Sequence, residues 1–294
     1  MLTADDGPVF SFEFFPPKSD EGVENLIKTV DELGDLEPAF VSVTYGAGGT
    51  TRARTLDLVS RIRREFSLEP MAHFTCVGAS RDDLHAVLST MEEAGVENVL
   101  ALRGDPPKGE TEFVPSPDGL SHANELIELI AGRYGFCVGA AAYPEVHPEA
   151  EDAEADLRRL QEKVAAGAQF LITQLFFDNG AYFAFVERAR EAGITVPIVP
   201  GIMPVTNVAQ IERFTRMCGA TLPAPFIAAL RAREDDPNAV ADLGVAFATL
   251  QCQELLAGGA PGIHFYTLNR SPATRAILSA LRISADMRAG VAPH

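Results

Sequence analysis

The stretch VFSFEFFPPK, from Val9 to Lys18, places one acidic residue inside a run of aromatic and apolar residues. Such a run is typical of a buried β-strand. Because side chains alternate across a strand, Glu13 is predicted to point away from the face that carries Phe10, Phe12 and Phe14. Two prolines, Pro16 and Pro17, end the strand directly after this acid. The acid is therefore predicted to lie at the C-terminal tip of a first strand.

Short β-rich runs alternate with amphipathic helical patterns along the rest of the chain. The predicted strands are Val9–Phe15, Phe40–Thr44, Met71–Thr75, Asn98–Arg103, Phe136–Ala142, Phe170–Gln174, Val196–Gly201 and Gly262–Thr267. The predicted helices are Val23–Leu33, Arg52–Glu65, Arg81–Ala94, Ala123–Gly132, Asp152–Ala165, Ala181–Ala192, Val208–Cys218 and Val240–Ala257. Several of them end in Ala-Gly or Gly, the usual cap before a following strand.

Eight strand–helix units in 294 residues predict an α/β fold of the (β/α)₈ TIM barrel type, which takes about 250 residues. A doubly wound sheet is the alternative. The irregular stretches CGATLPAP and REDDPN lie before the last strand and predict an extra short helix there. The loop after the fourth strand is predicted over Asp105–Gly119. With no linker or low-complexity segment, residues 1–294 are predicted to form one domain.

The net charge of −17 argues against a nucleic-acid or anionic-membrane partner, because no surplus of cations is available to replace phosphate counterions. No window reaches the roughly 18 consecutive apolar residues of a membrane span, and the start MLTADDG does not predict a secretory signal. The four cysteines form no CxxC pair, so reduced thiols without a disulfide or zinc site are predicted. These features together predict a cytoplasmic protein.

In a barrel of this type the reactive residues lie at the C-terminal ends of the strands. Glu13 would lie inside the barrel, where burial raises the pKa of a carboxyl group. It is therefore a candidate general acid that is protonated near neutral pH. The alternative is a structural carboxylate that is paired with an arginine or with backbone amides.

The other predicted strand ends also carry polar or aromatic side chains. These are Thr44, His73, Arg103, Asp105, Tyr143, His147, Gln174, Tyr266 and Arg270. His73 would contact a ligand or, alternatively, a backbone carbonyl group. Arg103 and Asp105 would approach a planar ligand or else stabilise the turn between them.

On the following helix, Asp156, Arg159 and Lys163 fall on one face, which by spacing alone is more typical of a solvated surface. The strand ends lack the clustered histidines of metal-dependent barrel hydrolases, and no predicted strand carries the lysine of a Schiff-base aldolase. One buried acid among hydrogen-bonding and aromatic groups favours a bound organic cofactor, and no metal is predicted.

Seven segments, taken together and in order, resemble the methylenetetrahydrofolate reductase family of the bacterial, single-domain type. They are SFEFFPPK, FVSVTYGAGG, ALRGDPP, AAYPEVHPEA, TQLFFD, PGIMPV and HFYTLNR. The resemblance extends from about Phe10 to Ile283, which is nearly the whole chain.

The resemblance implies a (β/α)₈ barrel with non-covalent FAD at the C-terminal face of its sheet. NADH or NADPH would reduce the flavin and leave. Methylenetetrahydrofolate would then take hydride from flavin N5 in a ping-pong sequence, giving 5-methyltetrahydrofolate for methionine synthesis. Relatives are commonly dimers or tetramers, so a homo-oligomer is expected by analogy.

The resemblance also implies roles for individual residues. Glu13 corresponds to the acid that protonates folate N10 as the imidazolidine ring opens, and Asp105 to the aspartate near the flavin pyrimidine. Gln174, Phe214, Tyr266 and Arg270 would contact the substrates. The implied FAD contacts are Thr44, His73, Arg103, Gly104, Asp105, His122, Ala142, Tyr143, His147, Asp156, Arg159 and Lys163.

His122 and Arg159 depart from some relatives, which carry Tyr and Asn at these positions. Both lie toward the adenosine end, so the departures concern FAD affinity more than the chemistry. Two alternatives remain open at this point. One is a relative that works without flavin, with another hydride donor or with a partner protein. The other is a non-catalytic folate- or flavin-binding subunit.

Overall fold

The computed structural model describes residues 7–45, 52–106 and 113–290. The strands in this part of the chain are β1 (Val9–Phe14), β2 (Phe40–Val43), β3 (Pro70–Thr75), β4 (Asn98–Leu102), β5 (Cys137–Ala142), β6 (Phe170–Thr173), β7 (Ile198–Val199), β8 (Gly201–Ile202) and β9 (Gly262–Tyr266). The helices are α1 (Asp20–Gly34), α2 (Arg52–Phe66), α3 (Arg81–Glu93), α4 (Ala123–Ala131), α5 (Ala153–Ala165), α6 (Asn179–Glu191), α7 (Val208–Cys218), α8 (Ala224–Arg231), α9 (Pro237–Ala257) and α10 (Pro272–Gly290).

All strand pairs are parallel, and the order β7-β6-β5-β4-β3-β2-β1-β9-β8 brings the ends of the sheet together. The seventh position of the barrel is shared by β7, which pairs with β6, and β8, which pairs with β9. Pro200 separates them, and its carbonyl oxygen accepts the His264 backbone N–H at 2.9 Å. The predicted (β/α)₈ TIM barrel is confirmed, with its seventh strand divided at a residue that has no N–H to donate.

The apolar core has an outer and an inner layer. Phe12 and Phe14 are fully buried in the outer layer, where the strands pack against helices such as α1 through Leu26 and Val30. Inside the barrel, a smaller cluster forms around Met71 and neighbouring strands. This division confirms that the phenylalanines of β1 face the helices and leave the alternate positions of β1 to the interior.

The helices differ from the prediction mainly at the C-terminal end. The extra short helix predicted before the last strand is α8. Helix α10, which follows β9, was not predicted, although it is the eighth helix of the barrel pattern. The loop predicted over Asp105–Gly119 includes residues 107–112, which lie outside the described part of the chain. No helix in the described residues is both long and apolar enough to cross a membrane.

Candidate active site

A cavity of about 640 Å³ opens at the C-terminal ends of the barrel strands. Its size falls within the range of about 300–1,000 Å³ that is usual for small-molecule sites. The structure brings ten of the predicted site residues together around it: Glu13, His73, Arg103, Gly104, Asp105, Tyr143, His147, Gln174, Phe214 and Tyr266. The residues predicted from their positions at the C-terminal ends of strands therefore share one cavity.

Glu13 lies at the end of β1, on the interior face. Its Oε2 atom is 3.3 Å from His73 Nε2 and 3.4 Å from His264 Nε2. The end of the strand is held by the turn after β9, where Thr267 Oγ1 donates to the Glu13 carbonyl oxygen at 2.6 Å. Asn269, with a positive φ of 58°, bonds through its side chain to both backbone polar groups of Phe15. These contacts fix the backbone that carries the acid.

The charge state predicted for Glu13 is wrong. Burial raises its pKa, as expected, but the charge of His73 and hydrogen bonding to His264 act in the opposite direction and prevail. The net result is a pKa lowered from 4.5 to about 2. The sequence prediction considered only desolvation, because the two imidazoles come from strands far away in the chain. Glu13 is thus paired with histidines instead of the arginine or backbone amides of the alternative interpretation.

Arg103 and Asp105 do not form the turn pair that was considered from the sequence. Arg103 makes two hydrogen bonds, of 2.6 and 2.7 Å, to the carboxylate of Glu149. This pairing raises the pKa of Arg103 and lowers that of Glu149. Asp105 is exposed on the wall of the cavity. Burial, followed by the charge of Asp105, raises the pKa of Tyr143 to about 12.

Gly104 has a φ of 92°, a conformation that side chains rarely adopt. A Cβ atom at this position would lie 2.6 Å from Val77 Cγ1. A glycine is therefore required where the chain turns from β4 along the cavity wall.

Tyr143 and His147 form an edge-to-face pair with their ring centroids 4.5 Å apart. Asp156, at the start of α5, accepts the His147 backbone N–H at 3.1 Å. Lys163, two turns further along that face of the helix, donates to the Ala141 carbonyl oxygen at 2.9 Å, and burial lowers its pKa. Asp156 and Lys163 thus support the cavity wall and are not part of a solvated helix face.

Seven predicted site residues do not line the cavity: Asp156 and Lys163, which support its wall, and five others. Thr44 accepts a hydrogen bond from Thr55 through its carbonyl oxygen, and Ala142 is buried in β5. His122 is exposed at the N-terminus of α4. Arg159 is exposed and pairs with Glu162 on its own helix at 2.9 Å, and Arg270 is exposed after β9. Their predicted roles in ligand binding stay predictions.

The remaining side of the cavity carries the residues predicted to hold the substrates. Tyr266 donates to the Thr173 carbonyl oxygen at 2.6 Å, and Phe214 of α7 also lines the cavity. Gln174 Oε1 accepts the Leu175 backbone N–H at 2.9 Å. Paired hydrogen bonds from Gln174 to a heterocycle would therefore require this side chain to turn away from Leu175.

Sequence reasoning missed several residues of this site. Thr75 lines the cavity two positions beyond His73, so strand alternation was the available signal. Met203 follows β8 inside a motif that was quoted only for the resemblance. For Glu149, the partner of Arg103, local sequence offered no signal.

Two buried polar atoms on this wall lack a hydrogen-bond partner among the described residues. These are Thr75 Oγ1 and His73 Nε2, the latter because its 3.3 Å approach to Glu13 lacks hydrogen-bond geometry. Buried polar groups are normally paired, so these two atoms are available to a polar ligand in the cavity. Aromatic faces and polar groups in one cavity of this size fit a large heterocyclic cofactor such as FAD. Among the described residues, no group of three or more His, Cys, Asp or Glu side chains is arranged to hold a metal ion.

The fold is a (β/α)₈ barrel with a cavity at the C-terminal ends of its strands. The family model of methylenetetrahydrofolate reductase matches residues 2–282, so the chain belongs to that family.

Similarity to individual relatives agrees with this assignment. The chain is 39% identical to the 5,10-methylenetetrahydrofolate reductase of Escherichia coli, over 93% of this chain and 90% of that protein. It is 42% identical to methylenetetrahydrofolate reductase (NADH) 1 of Arabidopsis thaliana, over 88% of this chain and 46% of that protein. The chain thus spans about half the length of the plant relatives and most of the length of the bacterial ones.

A solved structure from Clostridium thermocellum is similar in fold, with a TM-score of 0.63 at 15% identity and 96% of each chain covered. That protein is described as binding two copies of 5-methyl-5,6,7,8-tetrahydrofolic acid.

Proposed function

We propose that this protein reduces 5,10-methylenetetrahydrofolate to 5-methyltetrahydrofolate with NAD(P)H, and that residues 1–294 act as one flavin-binding catalytic domain. Family membership supports the reaction, and the NADH-type names of the plant relatives favour NADH as the donor. The observation that carries the proposal is Glu13 at the cavity floor, in contact with two imidazoles and in one cavity with Gln174, Phe214 and Tyr266.

FAD, bound without a covalent link, would accept hydride from the nicotinamide and supply it to the folate methylene carbon. The residues that would hold it line one wall of the cavity with polar groups and aromatic faces: His73, Thr75, Arg103, Tyr143 and His147. Arg103 would have to share its guanidinium group between Glu149 and an anionic group of the ligand.

Glu13 has the proton-transfer role in this proposal. Opening the imidazolidine ring of the folate requires a proton on the departing N10 atom. Because the pKa of Glu13 is lowered to about 2, Glu13 would first take up this proton and then pass it to N10. Asp105 would place a negative charge beside the cationic form of the folate and stabilise it. Phe214 and Tyr266 would present apolar faces to the flat substrates and exclude water from the reacting atoms.

The test separates the two half-reactions. In the FAD-loaded protein under anaerobic conditions, NADH should bleach the visible flavin absorbance, and methylenetetrahydrofolate should restore it. Glu13→Gln should slow the folate half-reaction by at least about 100-fold, the lower end of general acid contributions. It should largely spare the nicotinamide half-reaction, where no ring opens.

Glu151→Gln, which changes an exposed carboxylate, is the matched control and should leave both half-reactions unchanged. Equal losses in both half-reactions of Glu13→Gln would contradict the role given to Glu13. A protein that shows no flavin spectrum when supplied with FAD would contradict the cofactor assignment and favour a flavin-independent relative.

A further inference from the structure

His264 lies below Glu13 inside the barrel and is fully buried. Its two ring nitrogens face different residues of β1. Nδ1 is 2.8 Å from Ser11 Oγ, and Nε2 is 3.4 Å from Glu13 Oε2. Ser11 is also fully buried and precedes Glu13 by two positions, so both side chains point to the interior. The imidazole therefore bridges a serine and the acid from the same face of one strand.

We propose that Ser11 and His264 form a positioning pair that holds the proton for Glu13, so that the acid acts together with an imidazole and not as a lone carboxyl group. This inference rests on the proposed function, because it concerns the proton that Glu13 delivers to the folate. Neither residue lines the cavity, so both act on the substrate only through Glu13.

The serine decides which ring nitrogen exchanges its proton. When Ser11 Oγ accepts from Nδ1–H, that proton stays in place, and Nε2 becomes the atom that gains and loses a proton. The proposal requires that the proton is on His264 and that Glu13 is the carboxylate before the transfer begins. An alanine at position 11 would leave Nδ1 without this acceptor in a buried site, which disfavours the charged ring.

The proton transfer balances without a further reactant. The Nε2 proton moves to Glu13 Oε2, and Glu13 gives it to folate N10, which leaves a neutral imidazole and a carboxylate. A proton from water at the open cavity then restores the imidazolium. The 3.4 Å separation of Nε2 and Oε2 is compatible with a contact that shortens when substrate binds.

Other groups around this pair also set its titration. His73 of β3 approaches the same Glu13 oxygen at 3.3 Å. Tyr266 lies edge-on to His264 with ring centroids 5.5 Å apart, and Phe40 of β2 stacks on the other side at 5.8 Å. Burial raises the pKa of Tyr266 well above its ordinary value, so the tyrosine stays neutral. The ionisable side chains in contact with Glu13 are therefore the two histidines.

The first measurement is the pH profile of the folate half-reaction in wild type, His264→Gln and Ser11→Ala. The glutamine amide can donate a hydrogen bond to Glu13 from about the position of Nε2. Unlike an imidazolium, however, it cannot give up a proton to the carboxylate. We expect the rate in His264→Gln to decline at a pH at least about one unit lower than in wild type, and to be at least about tenfold lower at pH 7. Ser11→Ala should shift the profile in the same direction by a smaller amount.

Ser42→Ala is the matched control for Ser11→Ala. Ser42 is a buried serine on the neighbouring strand, in register with Glu13, and its hydroxyl has no partner among the described residues. The nicotinamide half-reaction of each variant serves as an internal reference for folding and flavin loading.

The second measurement needs no turnover. In ¹⁵N NMR spectra of the labelled protein above the titration range, His264 should carry its proton on Nδ1 in wild type. In Ser11→Ala it should shift toward the Nε2-protonated form. A purely structural histidine would show the Nε2-protonated form in both proteins.

The outcomes separate this inference from the proposed function. If wild type shows no folate half-reaction, the proposed function fails, and the tautomer of His264 still decides whether Ser11 orients the ring. If wild type reacts but His264→Gln keeps its pH profile, the inference is overturned. The same holds if only His73→Gln shifts the profile, because the proton would then belong to His73.

Discussion

At the scale of single residues, the contacts of Glu13 link the chemistry of the site to the stability of the fold. A carboxylate beside His73 and His264 is stabilised in its ionised form, and its pKa falls to about 2 although burial acts in the opposite direction. A group whose pKa is lower in the folded than in the unfolded chain stabilises the fold above its ordinary pKa.

This linkage predicts how Glu13→Gln depends on pH. The stabilising contribution of ionised Glu13 is complete above about pH 4.5 and is lost as the pH falls toward about 2. The free energy of unfolding of wild type should therefore exceed that of Glu13→Gln most at pH 5 to 6, and the difference should shrink on acidification. Urea denaturation of both proteins, from neutral pH down to the lowest pH at which wild type stays folded, measures it. A difference that grows on acidification would show that the histidines do not hold the carboxylate ionised.

Single-residue features could be predicted from the sequence where they depend on one strand alone. The position of Glu13 at a strand end and its inward orientation follow from alternation and from Pro16. Its charge state could not be predicted in this way, because it depends on His73 and His264, which reach it only through the closed barrel. The same holds for Arg103, whose partner Glu149 lies 46 positions away.

At the scale of helices and strands, α9 shows how a single glycine positions a cavity wall. A Cβ atom on Gly244 would lie 1.8 Å from the Val205 carbonyl oxygen, so the helix touches the chain that follows β8. Met203, two residues before this contact, lines the cavity. The close approach of α9 therefore fixes one side of the candidate active site.

Gly244→Ala should accordingly destabilise the protein. Alanine favours an isolated helix by about 1 kcal/mol over glycine, but the clash with a backbone oxygen in a packed core costs about 1–3 kcal/mol or more. We expect a net loss in the free energy of unfolding, measured by urea denaturation. The control Ala246→Gly changes an exposed position of the same helix and isolates the propensity effect. A stabilised Gly244→Ala protein would mean that α9 can move away from Val205 without loss.

The elements themselves were largely predictable, because most have clear periodicity and caps. Helix α7 was predicted with the bounds that the structure has, and α1 extends a few residues beyond its prediction because Ser19 caps it. The division of the seventh strand was not predicted, since its cause is the pairing of residues on both sides of Pro200 with different strands.

At the scale of the whole molecule, α10 connects the two ends of the barrel. Arg275 and Arg282 donate to the backbone oxygens of Glu32 and Leu36, at the end of α1 and just after it. Gln253 of α9 donates to Ser284 at 2.9 Å on the other side. The ring of helices is thus closed by the one helix that sequence reasoning missed.

The omission of α10 has a physical reason. Its amphipathic pattern is weak, because the apolar residues Ile277, Leu278 and Leu281 are interspersed with alanine and serine. The barrel prediction nevertheless held, because the strand pattern alone fixes the fold class and a parallel barrel needs a helix after its last strand. What the sequence did not provide was the packing of α10 against α1 and α9.

This closure predicts a strong contrast between two positions of α10. Leu278 is fully buried in the outer core layer, whereas Ile283 is 60% exposed. Leu278→Ala should lower the free energy of unfolding by about 2–5 kcal/mol, because it leaves a cavity in the outer core layer. Ile283→Ala removes a similar side chain from the same helix and should change the free energy of unfolding by less than about 0.5 kcal/mol.

Urea denaturation, followed by tyrosine fluorescence and by far-UV circular dichroism, measures both variants. If α10 closes the barrel as one cooperative unit, the two probes should report the same transition midpoint in Leu278→Ala. Separate midpoints would show that α10 detaches before the barrel unfolds, and equal stability of the two variants would contradict its packing in the core.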